Sequence, residues 1–343
     1  MLTTFSRHLR RNLAYIGLAV IAALVVAAGG TGSAATGVGP RLLADQPELF
    51  LTPHSTGLSR VADTETGVYL PASMEMARLV LYIPAGYRVD LTKAPGAEVG
   101  LVVAWSGAST GAPGRLTAAD PASYATNTCA PGTHQAVWLL TLANASLLPP
   151  VPFLVDATSG SDTALGGYKA QACLPPSSSG SIRIRELDLD LSVLTNPSAT
   201  GAYHWRAFVT PYAGGAPNTS GTFELRATVP LPMQLTLRGR YDRKHKRAVL
   251  TGRLIAPAYD TSGVPLDLYL LNKGRLRYLT WRSTRSAGRY SFTRRIKKTT
   301  RFVTVTSSYD DCEPGTIAPA GCVSDTLADV LSNPAKVVVR RRR

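Results

Sequence analysis

Glycine and proline interrupt this chain so often that long helices have no room: 30 Gly and 24 Pro fall among 343 residues. Inside a helix, Gly costs about 1 kcal/mol relative to Ala and Pro about 3 kcal/mol, so each break ends a helical pattern. Between the breaks run short alternating segments: Ala77 to Ile83, Val99 to Ala104, Ala136 to Leu142 and Tyr203 to Thr210. Period-two alternation bounded by turn residues predicts half-buried strands, and many such strands predict an all-β fold of sandwich type. Only Ala118 to Tyr124 and Asp325 to Leu331 read as helical.

The first 35 residues read as an export signal. Arg7, Arg10 and Arg11 precede an apolar run from Leu13 to Ala28, and small residues follow at Ser33-Ala34-Ala35. The run is 16 residues long, shorter than the roughly 20 that span a bilayer, so cleavage after Ala35 is expected and an uncleaved membrane anchor is the alternative. Cys129, Cys173, Cys312 and Cys322 all lie beyond it. Export favours disulfides, and four cysteines allow three pairings. Pairing Cys129 with Cys173 and Cys312 with Cys322 keeps each bridge within one domain. No C-x-x-C occurs and no His pair lies nearby, so no metal site and no cofactor is expected.

About 308 residues remain, enough for two domains. Residues 36–53 show no period and read as an extended arm. A first β-sandwich is expected over 54–228, a Pro-containing linker at Val229-Pro230-Leu231-Pro232, and a second sandwich over 233–343. In the second part the strand signals are clear: Leu235 and Leu237; Leu250 to Leu254; Leu266, Leu268 and Leu270; Arg277 to Trp281; Tyr290 to Ile296; Phe302 to Thr306; and Ala335 to Val339. About seven strands in this length fit an immunoglobulin-like sandwich.

The runs Leu250-Thr251-Gly252-Arg253-Leu254, Val264-Pro265-Leu266-Asp267-Leu268-Tyr269-Leu270, Ser286-Ala287-Gly288-Arg289-Tyr290-Ser291-Phe292 and Thr300-Arg301-Phe302-Val303-Thr304-Val305 resemble the bacterial Ig-like or transthyretin-like repeat. That resemblance covers about a third of the chain. It implies a spacer or adhesive module of exported Gram-positive proteins, with no catalytic residues to carry over. Two departures stand out: Arg fills strand positions where the repeat carries Thr, Ser or Val, and the Cys312 to Cys322 loop is extra. Through Tyr82-Ile83-Pro84-Ala85-Gly86-Tyr87 and Cys129-Ala130-Pro131-Gly132-Thr133-His134, the first domain is similar to exported β domains of the same bacteria, a likeness that implies no activity.

Charge is unevenly distributed. Met233 to Arg343 holds 23 Lys and Arg against 8 Asp and Glu, while Thr36 to Pro232 holds 11 against 14. The candidate polyanion-binding residues are Arg238, Arg240, Arg243, Lys244, Lys246 and Arg247, then Arg289, Arg294, Arg295, Lys297, Lys298 and Arg301, with the tail Arg340 to Arg343 beyond. Interleaved aromatics, Tyr241, Tyr269, Tyr278, Trp281, Tyr290 and Phe292, offer stacking or cation–π contacts. Arginine suits bidentate recognition of phosphate and carboxylate. Outside the cytoplasm the accessible polyanions are anionic lipid headgroups and phosphate-bearing wall polymers; cytoplasmic nucleic acid is excluded by export, leaving extracellular DNA as its only form. The opposing explanation is compositional, an arginine preference of the genome.

These features point to an exported, cell-surface or wall-associated binding protein that is not an enzyme. The alternative is a polysaccharide-acting first domain with the second as accessory module, which needs two carboxylates on one cleft. Glu186, Asp188 and Asp190 alternate with leucines and share one strand face, read here as solvated. Four histidines, His54, His134, His204 and His245, lie past the signal, none close to another. His134, following Cys129, is the one a disulfide-anchored turn would fix.

Overall fold

The computed structural model describes residues 47–106, 111–177, 182–306 and 325–339. Within them the chain is all-β, as the Gly/Pro punctuation requires. The first half carries β1 (Glu48–Pro53), β2 (Thr64–Tyr69), β3 (Met76–Ile83), β4 (Arg88–Val89), β5 (Glu98–Trp105), β6 (Ala112–Ala119), β7 (Ala136–Leu142), β8 (Val151–Ala157), β9 (Tyr168–Cys173), β10 (Glu186–Leu191), β11 (Leu194–Thr195), β12 (Gly201–Ala213), β13 (Ala216–Pro217) and β14 (Phe223–Leu231). The second half carries β15 (Gln234–Asp242), β16 (Arg247–Ile255), β17 (Pro265–Asn272), β18 (Arg275–Ser283), β19 (Arg289–Arg295), β20 (Thr300–Thr306), β21 (Asp325–Leu327) and β22 (Ala335–Val337).

The main sheet runs β1-β2-β10-β5-β6-β7-β8-β9-β3-β12-β14-β21. Its inward residues, among them Leu49, Leu51, Leu81, Leu140, Phe153, Trp138 and Trp205, form one buried apolar core. The Cys129–Cys173 disulfide ties the loop after β6 to the end of β9. Cys312 and Cys322 lie outside the described residues.

The second half is a seven-stranded sandwich with an immunoglobulin-like division: β15-β16-β19 on one side, β18-β17-β20-β22 on the other. Leu235, Leu237, Leu250, Leu254 and Phe292 of the first sheet share a core with Leu266, Leu268, Phe302 and Val337 of the second. Tyr290 crosses that core, its hydroxyl donating to the Thr236 carbonyl and lying 2.7 Å from Thr304 Oγ1. Gly252 makes the crossing possible, since a Cβ there would stand 2.0 Å from Thr236 O and 2.4 Å from the Tyr290 ring.

Several segments differ from the sequence reading. Glu48 to Pro53, read as part of an arm, pair with β2 along their whole length. Val229 to Leu231, read as linker, complete β14, with Val229 and Leu231 wholly buried. Ala118 and Ala119 end β6, and only Pro121–Tyr124 forms a 3-10 turn, capped by Asp120 Oδ1 accepting from Ala122 N. Proline at the first position of that turn fixes φ, and the extended Asp120 before it stops a longer helix.

Asp325 to Leu327 is a strand, and it leaves the second sandwich to run parallel to β14. Ala328 N donates to Thr228 O at 2.9 Å and Asp329 N to Leu51 O at 2.9 Å, while the Thr326 hydroxyl donates to the Leu49 carbonyl. The chain then returns: Thr306 N donates to Val330 O at 3.1 Å and Ser332 N to Thr304 O at 2.9 Å, and β22 closes the sandwich. Residues 325–332 therefore strap the two halves together, in addition to the direct join at Pro232 and Met233.

Candidate anion-binding face

The sheet β15-β16-β19 presents one face to the core and one to solvent, and its register fixes what the open face carries. Pairing places Thr236 opposite Arg253 and Arg253 opposite Arg289; Arg238 opposite Thr251 and Thr251 opposite Ser291; Arg240 opposite Val249 and Val249 opposite Thr293; Asp242 opposite Arg247 and Arg247 opposite Arg295. The core-facing residues alternate with these, as Leu235, Leu237, Ala248, Leu250, Leu254, Tyr290 and Phe292. Six arginines thus share one open face: Arg238, Arg240, Arg247, Arg253, Arg289 and Arg295. All are exposed except Arg247, which is half-buried.

Asp242 is the single carboxylate on that face, and its charge is used locally. Its Oδ2 accepts from His245 Nδ1 at 2.8 Å and from Arg247 Nε at 3.0 Å. These contacts, the His245 hydrogen bond first, hold its carboxyl down at about 2. Arg253 Nε donates to the Ala287 carbonyl at 2.8 Å. Both β16 arginines are therefore held through Nε, which leaves the terminal guanidinium nitrogens directed at solvent or ligand.

Other cations named from the sequence sit around the end of this sheet. Arg243, Lys244 and Lys246 form the exposed β15–β16 turn, and Ile296 N donates to Lys246 O, which brings Lys297 and Lys298 to the same end. Arg294 has the opposite strand parity and reaches solvent at the end of β19. Arg301 does not belong to the face: it lies on β20 of the other sheet, between Leu271 and Lys336. Arg340 to Arg343 lie outside the described residues. Arg253 was missed, although the alternation of Arg247, Val249 and Thr251 along β16 points to it.

The aromatic residues read as stacking partners turn away. Tyr290 and Phe292 are buried in the sandwich core, 5.9 Å apart edge to face. Tyr269 and Tyr278 pair at 5.7 Å on the other sheet, and Tyr241 packs against the core. Inward parity places Tyr241, Tyr290 and Phe292 there, while Tyr269 and Tyr278 lie on the outer side of the other sheet and Trp281 on its strand β18, so the open face is cationic and hydroxylic without aromatic platforms.

The acidic row on β10 is also corrected. Glu186 and Asp188 are buried, not solvated, and Asp188 Oδ2 accepts from Trp105 Nε1 at 2.9 Å. Burial raises the Asp190 carboxyl above its usual range, His54 opposing the shift and Asp63 adding to it. Glu65, Asp188 and Asp190 line a depression of about 10 Å³, room for a single water. His134 uses both ring nitrogens, Nδ1 against Asp156 Oδ2 at 2.8 Å and Nε2 on the Ala130 carbonyl at 2.9 Å. A nitrogen facing a carbonyl must carry the proton, so that side has no lone pair for a metal or substrate. The residue pins the loop beside Cys129.

Among the described residues no cluster of three or more His, Cys, Asp or Glu is arranged to hold a metal ion, and no helix is long and apolar enough to cross a membrane.

No family model matches the chain, and no curated protein does. Among solved structures, the D0-D1 domain of intimin aligns over 84% of this chain and 97% of its own at 9% identity, with a TM-score of 0.20. A β-1,2-glucanase from Parabacteroides distasonis aligns over 83% of this chain and 32% of its own, at 10% identity and a TM-score of 0.19. A tetra-tandem repeat from the extending region of a large adhesion protein aligns over 84% and 75%, at 10% identity and a TM-score of 0.18. At such scores none of the three superposes on this chain as a common fold. The functional reading rests on the chain's own geometry.

Proposed function

We propose that this is an exported, cell-surface or wall-associated binding and structural protein without catalysis of its own, which docks through the β15-β16-β19 face onto an extracytoplasmic polyanion. The observation that carries the reading is the convergence of six arginines on one open sheet face whose single acid is occupied by His245 and Arg247. The four-stranded sheet also carries exposed Arg275, Arg277, Arg282 and Arg301, so what supports the reading is the six arginines sharing one face and not a lack of arginine elsewhere. The Cys129–Cys173 disulfide supports an oxidising compartment, where lipid headgroups and wall polymers are the abundant anions. A polysaccharide-cleaving first half would need a cleft with room for a sugar ring, whereas the depression beside Asp188 and Asp190 has room for one water.

Sedimentation of the full chain with isolated cell walls tests the reading. Screening lengths fall from about 10 Å at 0.1 M salt to about 3 Å at 1 M, so capture should drop steeply over that range. Arg247→Glu with Arg295→Glu should abolish capture at low salt. Salt-insensitive capture, or capture unchanged in the double variant, refutes it.

A further inference from the structure

The arginines on the open face are not scattered; they surround a floor of small side chains. Along an antiparallel strand, residues on one face repeat about every 6.8 Å, and neighbouring strands lie about 4.8 Å apart. Arg253 and Arg289 are direct cross-strand neighbours at one end, and Arg247 and Arg295 are neighbours at the other, three same-face steps or about 20 Å away. Arg238 and Arg240 flank the interval on β15. Between the end pairs the floor is Thr251, Ser291, Val249 and Thr293. Thr251 and Thr293 are exposed, so long guanidinium arms stand around a shallow trough with hydroxyls at its base.

Resting on the polyanion-docking reading, we propose that the occupant of this trough is a linear polyol-phosphodiester polymer lying along β16 and β19, not a lipid surface. Three features select the polymer. Two residues along a strand are joined by the same number of covalent bonds as successive phosphorus atoms across a glycerol unit, so an extended chain presents phosphates at about the 7 Å interval of the sheet. The paired end arginines offer forked donors to phosphate at both ends of the trough. The hydroxyl floor gives partners to polyol oxygens, which a lipid headgroup layer does not insert. Against a membrane, the large apolar side chains exposed to solvent among the described residues are Val61, Leu101 and Val338, none of them on β15, β16 or β19, so the face has nothing to bury in acyl chains.

Glycerol phosphate presented in two ways tests this with one headgroup chemistry. The full chain is titrated with lipid-free poly(glycerol phosphate) and, at equal phosphate, with vesicles of phosphatidylcholine and phosphatidylglycerol. Tighter binding to the polymer by about ten-fold or more is expected. Thr251→Val with Thr293→Val, both of which suit a strand, should weaken the polymer about ten-fold and leave vesicle binding unchanged, with the melting temperature as the folding control. Equal affinity for vesicles, or polymer binding indifferent to the valine pair, overturns the polymer assignment while docking stands. If Arg247→Glu with Arg295→Glu leaves both ligands bound as before, the docking face itself is wrong.

Discussion

Asp329 offers a stringent test of how the halves are joined. It sits on the strap after β21, is 5% exposed, and its Oδ1 has no hydrogen-bond partner. The groups facing it are acids from three elements: Glu48 of β1, Asp267 of β17 and Glu65 of β2, with Tyr269 donating from its hydroxyl to Asp267 Oδ2 at 3.1 Å. Burial first, and these carboxylates after it, push its carboxyl well above the ordinary 3.8. The consequence has a definite sign. Below the ordinary value both folded and unfolded chains hold the proton and nothing is lost. Above it the unfolded chain releases the proton while the folded one keeps it, so stability falls by about 1.4 kcal/mol per pH unit until pH reaches the folded value. Asp329→Asn, equal in shape and neutral at all pH, deletes that slope. Urea unfolding followed by tryptophan fluorescence, at pH values from about 4 to 7, should show the variant gaining on the parent by about 1.4 kcal/mol for each unit in the early part of the range. Parallel profiles for the two proteins would mean that Asp329 is ionised or solvated, and the buried-acid account of the junction would fail.

Two further outcomes follow from the packing. The Cys129–Cys173 bridge spans 44 residues, so the chain-entropy model gives it about 4 kcal/mol; calorimetry of the Cys129→Ala, Cys173→Ala double variant, which touches no other cysteine, should show the first half destabilised by about that amount, and an unchanged transition would refute the estimate. Gly252→Ala should cost the sandwich about 3 kcal/mol or more, because backbone Thr236 O at 2.0 Å has no freedom to retreat; Thr251→Ala next to it should cost a fraction of that, and equal losses would refute the steric argument.

Strands with one wet face were readable because alternation records which side is wet. β15, β16 and β19 show it clearly, and between β17 and β18 the chain turns through Lys273 and Gly274, both at positive φ. Burial of the acidic row was not readable, because Glu186, Asp188 and Asp190 alternate as a solvated strand would. Their environment is set by partners far away in the chain: β10 lies between β2 and β5, and Trp105 arrives from the latter to meet Asp188. The strap failed for a different reason. A three-residue strand leaves no period to count, and Leu327, Val330 and Leu331 mimic helical spacing although all three pack on the sandwich, while Ala328 between them enters the core of the first half. Aromatic side chains were misplaced for the candidate site because composition near a charge run carries no parity, whereas counting along β19 from Arg289 places Tyr290 and Phe292 inward.

Both sheets of the sandwich carry exposed cations, Arg275, Arg277, Arg282, Arg301 and Lys336 on the four-stranded one, but the acids lie on one side. The outer side of the four-stranded sheet carries Asp267, with Tyr269, Val303 and Val305 around it, and meets the strap and the acids Glu48 and Glu65 of the first half. The three-stranded sheet lies on the opposite side of the core and is left with cations alone once Asp242 is paired. Acid gathered at the junction, with cations on both sheets, makes a charge gradient across the sandwich. In the field of an anionic polymer that gradient exerts a torque as well as an attraction, turning the β15-β16-β19 face inward and the first half away. A strap held by backbone hydrogen bonds on both sides resists independent rotation of the two halves, so orienting the sandwich orients the whole molecule.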